Sequence, residues 1–119
     1  MAWSFNAHTP VYMQIASRLR GEIIRGVYKP NEQMLSVRQL AVIAAVNPNT
    51  VQRALLELEG EGLLVCNSTQ GRFITDDESV LEAARRKAAS DLVEEFLQRA
   101  AELSLDAKEL SKLFKEAGI

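Results

Sequence analysis

A chain of 119 residues that is 47% apolar, carries both charge signs and nets −2 has room for one ordinary domain or two small modules, and this composition excludes a disordered polypeptide. One cysteine, Cys66, and one histidine, His8, exclude an intrachain disulfide and any metal site of the usual cysteine and histidine spacing. No apolar run approaches the roughly 20 residues of a membrane span and the first residues form no export signal, so a cytoplasmic protein without metal, cofactor or membrane partner is expected.

Met1 to His8 forms a short arm whose Trp3 and Phe5 need an apolar surface, either the core or a dimer contact. Thr9-Pro10 has the form of a helix start, a capping side chain followed by a proline. Val11, Ile15, Leu19 and Ile23 then mark one face of a helix that runs to Arg25 and stops at Gly26. Tyr28 to Glu32 is turn chemistry, and Gln33-Met34-Leu35 a short extended piece.

Ser36 to Leu64 packs two helix starts, a tight turn and a helix stop into one short stretch. Ser36 and Gln39 make a capping box. Asn47-Pro48 is a second start, with an amide cap and a proline whose missing N–H costs nothing at the first helical position. Pro48 also forces Asn47 out of the α region, so the first helix ends before it and only Ala45 and Val46 remain for the turn. Helix, short turn, helix is the arrangement in which a second helix enters the major groove of DNA.

That second helix sorts its side chains by face. Val51, Ala54, Leu55 and Leu58 follow the spacing of a buried stripe, while Asn49, Gln52 and Arg53 lie opposite. Amides and guanidinium groups pair with base edges. A solvated face would also be polar, but it would mix charge signs; from Asn47 to Leu56 there is no acid, and carboxylates begin only at Glu57, Glu59 and Glu61. Asn47 already has a structural task as a cap.

Gly60 and Gly62 supply positions for a left-handed helix end. Leu63 to Cys66 then reads as a strand, Asn67 to Gly71 as a loop and Arg72 to Thr75 as the returning strand, a wing with Arg72 at its tip, placed for phosphate or minor-groove contact. Cys66 is read as a small apolar strand residue, and His8 as a surface residue.

Beyond the wing, Asp76 to Ser79 is an acidic helix entry. Val80, Ala84, Ala88, Leu92, Phe96, Ala100 and Leu103 recur at helical spacing, predicting a helix from Glu78 to Leu103. Asp106 and Glu109 make another capping box, followed by Leu110, Leu113 and Phe114 on one face, with Gly118 as the stop. Two helices alone cannot close a core, so their apolar faces need a second copy. The dimerising stripe is assigned to Val80, Ala84, Ala88, Leu92, Phe96 and Leu103. Charge divides the same way: through Thr75 there are seven bases against five acids, and after it seven against eleven, as suits nucleic-acid contact by the first part and protein contact by the second.

PVYMQI, GVYKPNEQMLSVRQLA, VNPNTVQRALLELEGEGLL and QGRFI, in this order, resemble the winged-helix domain of the GntR family of bacterial transcription regulators, most nearly its short YtrA-type subfamily. The resemblance implies DNA contacts from Ser36 and Arg38, from Asn47, Asn49, Thr50 and Gln52, and from Gly71 with its neighbour Arg72. It leaves a small-molecule effector unspecified. Three positions depart from the family pattern: Asn31-Glu32 where glycine and an acid are common, Met34-Leu35-Ser36 where Leu-Pro-Ser is usual, and Ala45 where the turn usually has glycine. The Ala45 turn must then either avoid positive φ or carry strain.

The expected fold is mainly α: a winged helix-turn-helix of three helices plus a β-hairpin wing over residues 1–75, then a two-helix dimerisation module over 76–119. The expected function is that of a sequence-specific DNA-binding regulator, read as a repressor, which binds an inverted-repeat operator in double-stranded DNA as a homodimer. The alternative is a winged helix that binds protein without specific DNA readout. An enzyme is disfavoured, because the chain has no nucleophile and base pairing, metal spacing or phosphate-cradling glycine loop.

Overall fold

Every helix of the chain ends in the same way, and those ends set how the elements are joined. The structure, a computed structural model, describes residues 2–119, in the order α1 (Val11–Ile24), α2 (Val37–Ala44), α3 (Pro48–Gly60), β1 (Leu64–Asn67), β2 (Gly71–Ile74), α4 (Glu78–Glu102) and α5 (Ala107–Glu116). After each helix one residue takes a left-handed φ: Gly26, Ala45, Gly62, Ser104 and Gly118. At each, its own N–H bonds the carbonyl three residues back and the next N–H bonds the carbonyl five back, as in Gly62 to Glu59 and Leu63 to Leu58. This is the Schellman pattern, which satisfies carbonyls that the helix leaves open.

The starts differ more. Ser36 accepts from the Gln39 N–H at 3.1 Å and the Gln39 side chain accepts from the Ser36 N–H at 2.9 Å, the capping box expected. Asn47 caps α3 with Pro48 at the first helical position, and Asp106 with Glu109 boxes α5. Thr9 does not cap α1. Pro10 takes the cap position without a side-chain bond, and Gln14 instead reaches back with its amide to the Asn6 and Thr9 carbonyls. Asp77 starts α4 by accepting from the Ser79 N–H and hydroxyl, and those Ser79 bonds lower its pKa.

The chain divides into two compact units, Met1–Ala84 and Arg85–Ile119. In the first, α1 and α3 lay their apolar stripes together: Ile15, Leu19, Val51, Ala54, Leu55 and Leu58 are fully or almost fully buried. Burying a leucine or isoleucine in this way contributes about 1.5–3 kcal/mol. Trp3 and Phe5 pack on this core, which answers their need for an apolar surface, and the Arg18 guanidinium covers the Trp3 ring at 4.0 Å. β1 and β2 pair antiparallel with Leu64 opposite Ile74 and Cys66 opposite Arg72, each strand one residue from its expected bounds. Gln33 adds an isolated bridge to Phe73, backed by Met34 N–H to the Arg72 carbonyl at 2.8 Å. Asn31 carries the positive φ, 66°, that an asparagine tolerates. The boundary between units falls inside α4, because Val80, Leu81 and Ala84 on its first turns pack on the first unit's core.

In the second unit, Ala100 of α4 and Leu110 of α5 are both buried, and a tilted Phe96–Phe114 ring pair with centroids 5.6 Å apart joins the two helices. Ser104 makes the reversal at φ 58°. No helix of the described residues is long and apolar enough to cross a membrane.

Candidate nucleic-acid interface

The outward side of α3 is offered to solvent because its inward side is used completely. Val51, Ala54, Leu55 and Leu58 are 0% exposed, so the residues between them, Asn49, Gln52 and Arg53, must point away from the core, and all three are exposed. Asn47 is committed as the cap, with its side-chain oxygen accepting from the Asn49 N–H at 2.7 Å. The Asn49 side chain is thereby left free at the helix entry, next to half-buried Thr50.

Arg53, expected beside Gln52 as a reader, lies over the Tyr12 ring of α1 at 3.9 Å. Stacking with an aromatic face holds the guanidinium flat while leaving its edge available. No ion pair occupies it among the described residues.

At the mouth of α2, Ser36 and Arg38 are exposed. Ser36, Gln39, Gln33, Gln70 and Arg72 line a groove of about 460 Å³ between this helix start and the wing. Open helix-start N–H groups and exposed hydroxyl, amide and guanidinium donors form a surface suited to a phosphate backbone.

The wing is built by its loop. Asn67 accepts from the Thr69 N–H and hydroxyl, and Gln33 donates to the Gln70 carbonyl at 2.5 Å. Gly71 sits at φ +109°, and a Cβ there would come within 3.0 Å of the Gln33 amide. The glycine is therefore required by this turn irrespective of any DNA contact.

Arg72 departs from its expected place at the wing tip. It lies in β2 opposite Cys66, with a side chain only 16% exposed, and its Nε donates to Glu59 Oε1 at 2.6 Å while a terminal nitrogen donates to Gln52 Oε1 at 3.2 Å. An arginine beside a half-buried carboxylate satisfies it instead of reaching outward. The signal was legible only as Glu59 standing two helical turns beyond Gln52 on the same face.

A second ion pair, Arg20 with Glu61 at 2.5 Å, ties α1 to the end of α3, and that bond raises the arginine pKa. Among the described residues no cluster of histidine, cysteine or carboxylates could hold a metal.

Of the stripe assigned to dimerisation, Val80 and Ala84 are already used against the first unit's core, and Ala88 is half-buried. Leu92 and Leu103 remain 67% and 74% exposed, and Phe96 43%. Val93, Leu97 and Leu113 add to this apolar surface, and periodicity alone had not singled out Val93.

A capped short helix, a tight left-handed turn, a second helix with an acid-free outer start, and a hairpin behind it define a winged helix-turn-helix. The family model of the bacterial regulatory proteins, gntR family, matches residues 11–74. The chain is 32% identical over 117 residues to the HTH-type transcriptional regulator YhcF of Bacillus subtilis, covering 96% of this chain and 97% of that one. It is 39% identical over 69 residues to the HTH-type transcriptional repressor YtrA of the same organism, covering 58% of this chain and 53% of that one. A solved GntR family transcriptional regulator from Listeria monocytogenes superposes with a TM-score of 0.87 at 31% identity, over 94% of this chain and 98% of that one. The chain belongs to the GntR family and is a DNA-binding transcription regulator.

Proposed function

We propose that this regulator is a cytoplasmic homodimer that represses transcription by occupying an inverted-repeat operator. The observation that carries the proposal is the apolar surface of the second unit, where Leu92, Val93, Leu97 and Leu103 are each at least half exposed. A soluble chain does not leave so many large apolar groups uncovered along one helix and its end unless another surface covers them. A second copy is the simplest cover, and a two-fold axis then relates two copies of α3 and asks for a symmetric operator.

In this reading residues 1–75 bind DNA and 76–119 dimerise, with the first turns of α4 as the joint between them. Asn49 and Gln52 read base edges, while Ser36, Arg38, Thr50 and the wing hold the backbone. Repression is supported by the identity to YtrA, described as a repressor.

The test is twofold and uses the full chain. Sedimentation at micromolar concentration should give twice the chain mass. Titration of promoter DNA from its own operon should show affinity falling steeply as salt rises, as phosphate contacts require. A well-folded monomer, or weak retention indifferent to DNA sequence, would overturn the proposal.

A further inference from the structure

Gln52 and Glu59 are seven residues apart on α3, two turns along one face. Arg72 reaches across from β2 and joins them, giving Nε to Glu59 and a terminal N–H to the Gln52 side-chain oxygen. Arginine has only donors, so only the carbonyl end of the Gln52 amide can face it. The NH2 end is turned away from Arg72, and it has no partner among the described residues. An unrestrained glutamine amide can rotate and offer either end; this one is held.

We infer that Glu59 and Arg72 are positioning residues that make Gln52 enter the groove with its NH2 end forward, and that this orientation sets base specificity by rejecting cytosine. The inference rests on α3 being the base-reading helix. In the major groove guanine offers N7 and O6 as acceptors, adenine N7 and thymine O4, whereas cytosine offers only its N4 donor. A fixed NH2 meeting that donor leaves both groups unsatisfied. A released amide would turn over and accept from it.

Glu59 has a second effect. By pairing with Arg72, whose side chain is 16% exposed, it withholds that charge from the phosphate backbone, so Arg72 serves specificity and adds little to general affinity.

Binding-site selection and salt titrations on random DNA test this with the full-length wild type and Gln52→Ala, Arg72→Met and Glu59→Ala variants, each checked for native melting. Flattening by Gln52→Ala identifies the base position concerned. Wild type should reject cytosine there, and Arg72→Met and Glu59→Ala should each recover cytosine by roughly tenfold, with other positions unchanged. The slope of log affinity against log salt should be unaltered in Arg72→Met and steeper by about 0.9 in Glu59→Ala, where the freed arginine takes a phosphate.

The inference is overturned if wild type accepts cytosine at that position or if both variants still exclude it. It also falls if Arg72→Met lowers the salt slope by about 0.9, since Arg72 would then be a phosphate contact. Arg72→Met removes the bond to Gln52 itself and Glu59→Ala removes the anchor that keeps Arg72 beside it, so one that fails to fold leaves the other decisive. Wild type that selects no motif at all would remove the base-reading role of α3 and this inference with it. Selection of a motif unaffected by Glu59→Ala and Arg72→Met would remove the inference alone.

Discussion

Ala45→Gly should stabilise the protein. Ala45 ends α2 at φ 58° and ψ 50°, a left-handed conformation that costs a residue with a Cβ about 1–2 kcal/mol. Glycine removes that cost but loses about 0.4–1 kcal/mol through the greater freedom of the unfolded chain. Ala45 is exposed, so no packing is lost with its methyl group. The backbone bonds of the turn, Ala45 to Val42 at 3.3 Å and Val46 to Ala41 at 3.1 Å, do not involve the side chain. The net expectation is a gain of about 0.5–1 kcal/mol, a rise in melting temperature of about 2–5 °C for a chain of this size. Thermal and urea unfolding of both proteins at equal concentration measure it, with an unchanged urea slope showing that the unfolded state is comparable. Operator affinity should stay the same, because the turn geometry is kept. A glycine variant that melts at or below the wild-type temperature would refute the strain argument.

Leu55→Ala removes a fully buried side chain where α1 and α3 meet and should cost about 2–5 kcal/mol in urea unfolding; a cost under 1 kcal/mol would mean that this seam is not the core. Arg38→Ala should weaken operator and random DNA alike and reduce the salt slope by about one, whereas a changed sequence preference would make Arg38 a base reader. Leu92→Asp and Phe96→Asp place a charge in the proposed dimer surface and should shift sedimentation from dimer towards monomer or unfold the chain; two native dimers would contradict its location. Acidification should remove the Asp77 contribution at the start of α4: its pKa is lowered by Ser79, so that contribution is complete above the ordinary aspartate range and is lost as pH falls through the lowered value. Asp77→Asn should therefore flatten the acid limb of the stability curve there.

Local chemistry was readable in the sequence wherever the partner lies within a few residues. The capping boxes at Ser36 and Asp106, the Asn47-Pro48 start and the buried stripe of α3 depend only on spacing along one helix, and all appear as expected. Ala45 and Ser104 show where such reading weakens: both take a left-handed turn that glycine takes at Gly26, Gly62 and Gly118, and neither residue type announces it. What spacing could not reveal is which surface covers a given face. Val80 and Ala84 continue the same periodic stripe as Leu92, yet they pack on the first unit's core. Arg72 and Arg53 looked free because their partners, Glu59 and Tyr12, stand 13 and 41 positions away in the sequence and meet them only through the fold.

Hydroxyl-radical footprinting of the full-length protein on its selected operator tests the central claim most directly, that paired copies of α3 read a symmetric site. The account predicts two equivalent protected half-sites, related by inversion and centred roughly 34–36 Å or a multiple of that apart, both lost together in Leu92→Asp. Protection of a single asymmetric half-site, retained in Leu92→Asp, would contradict it.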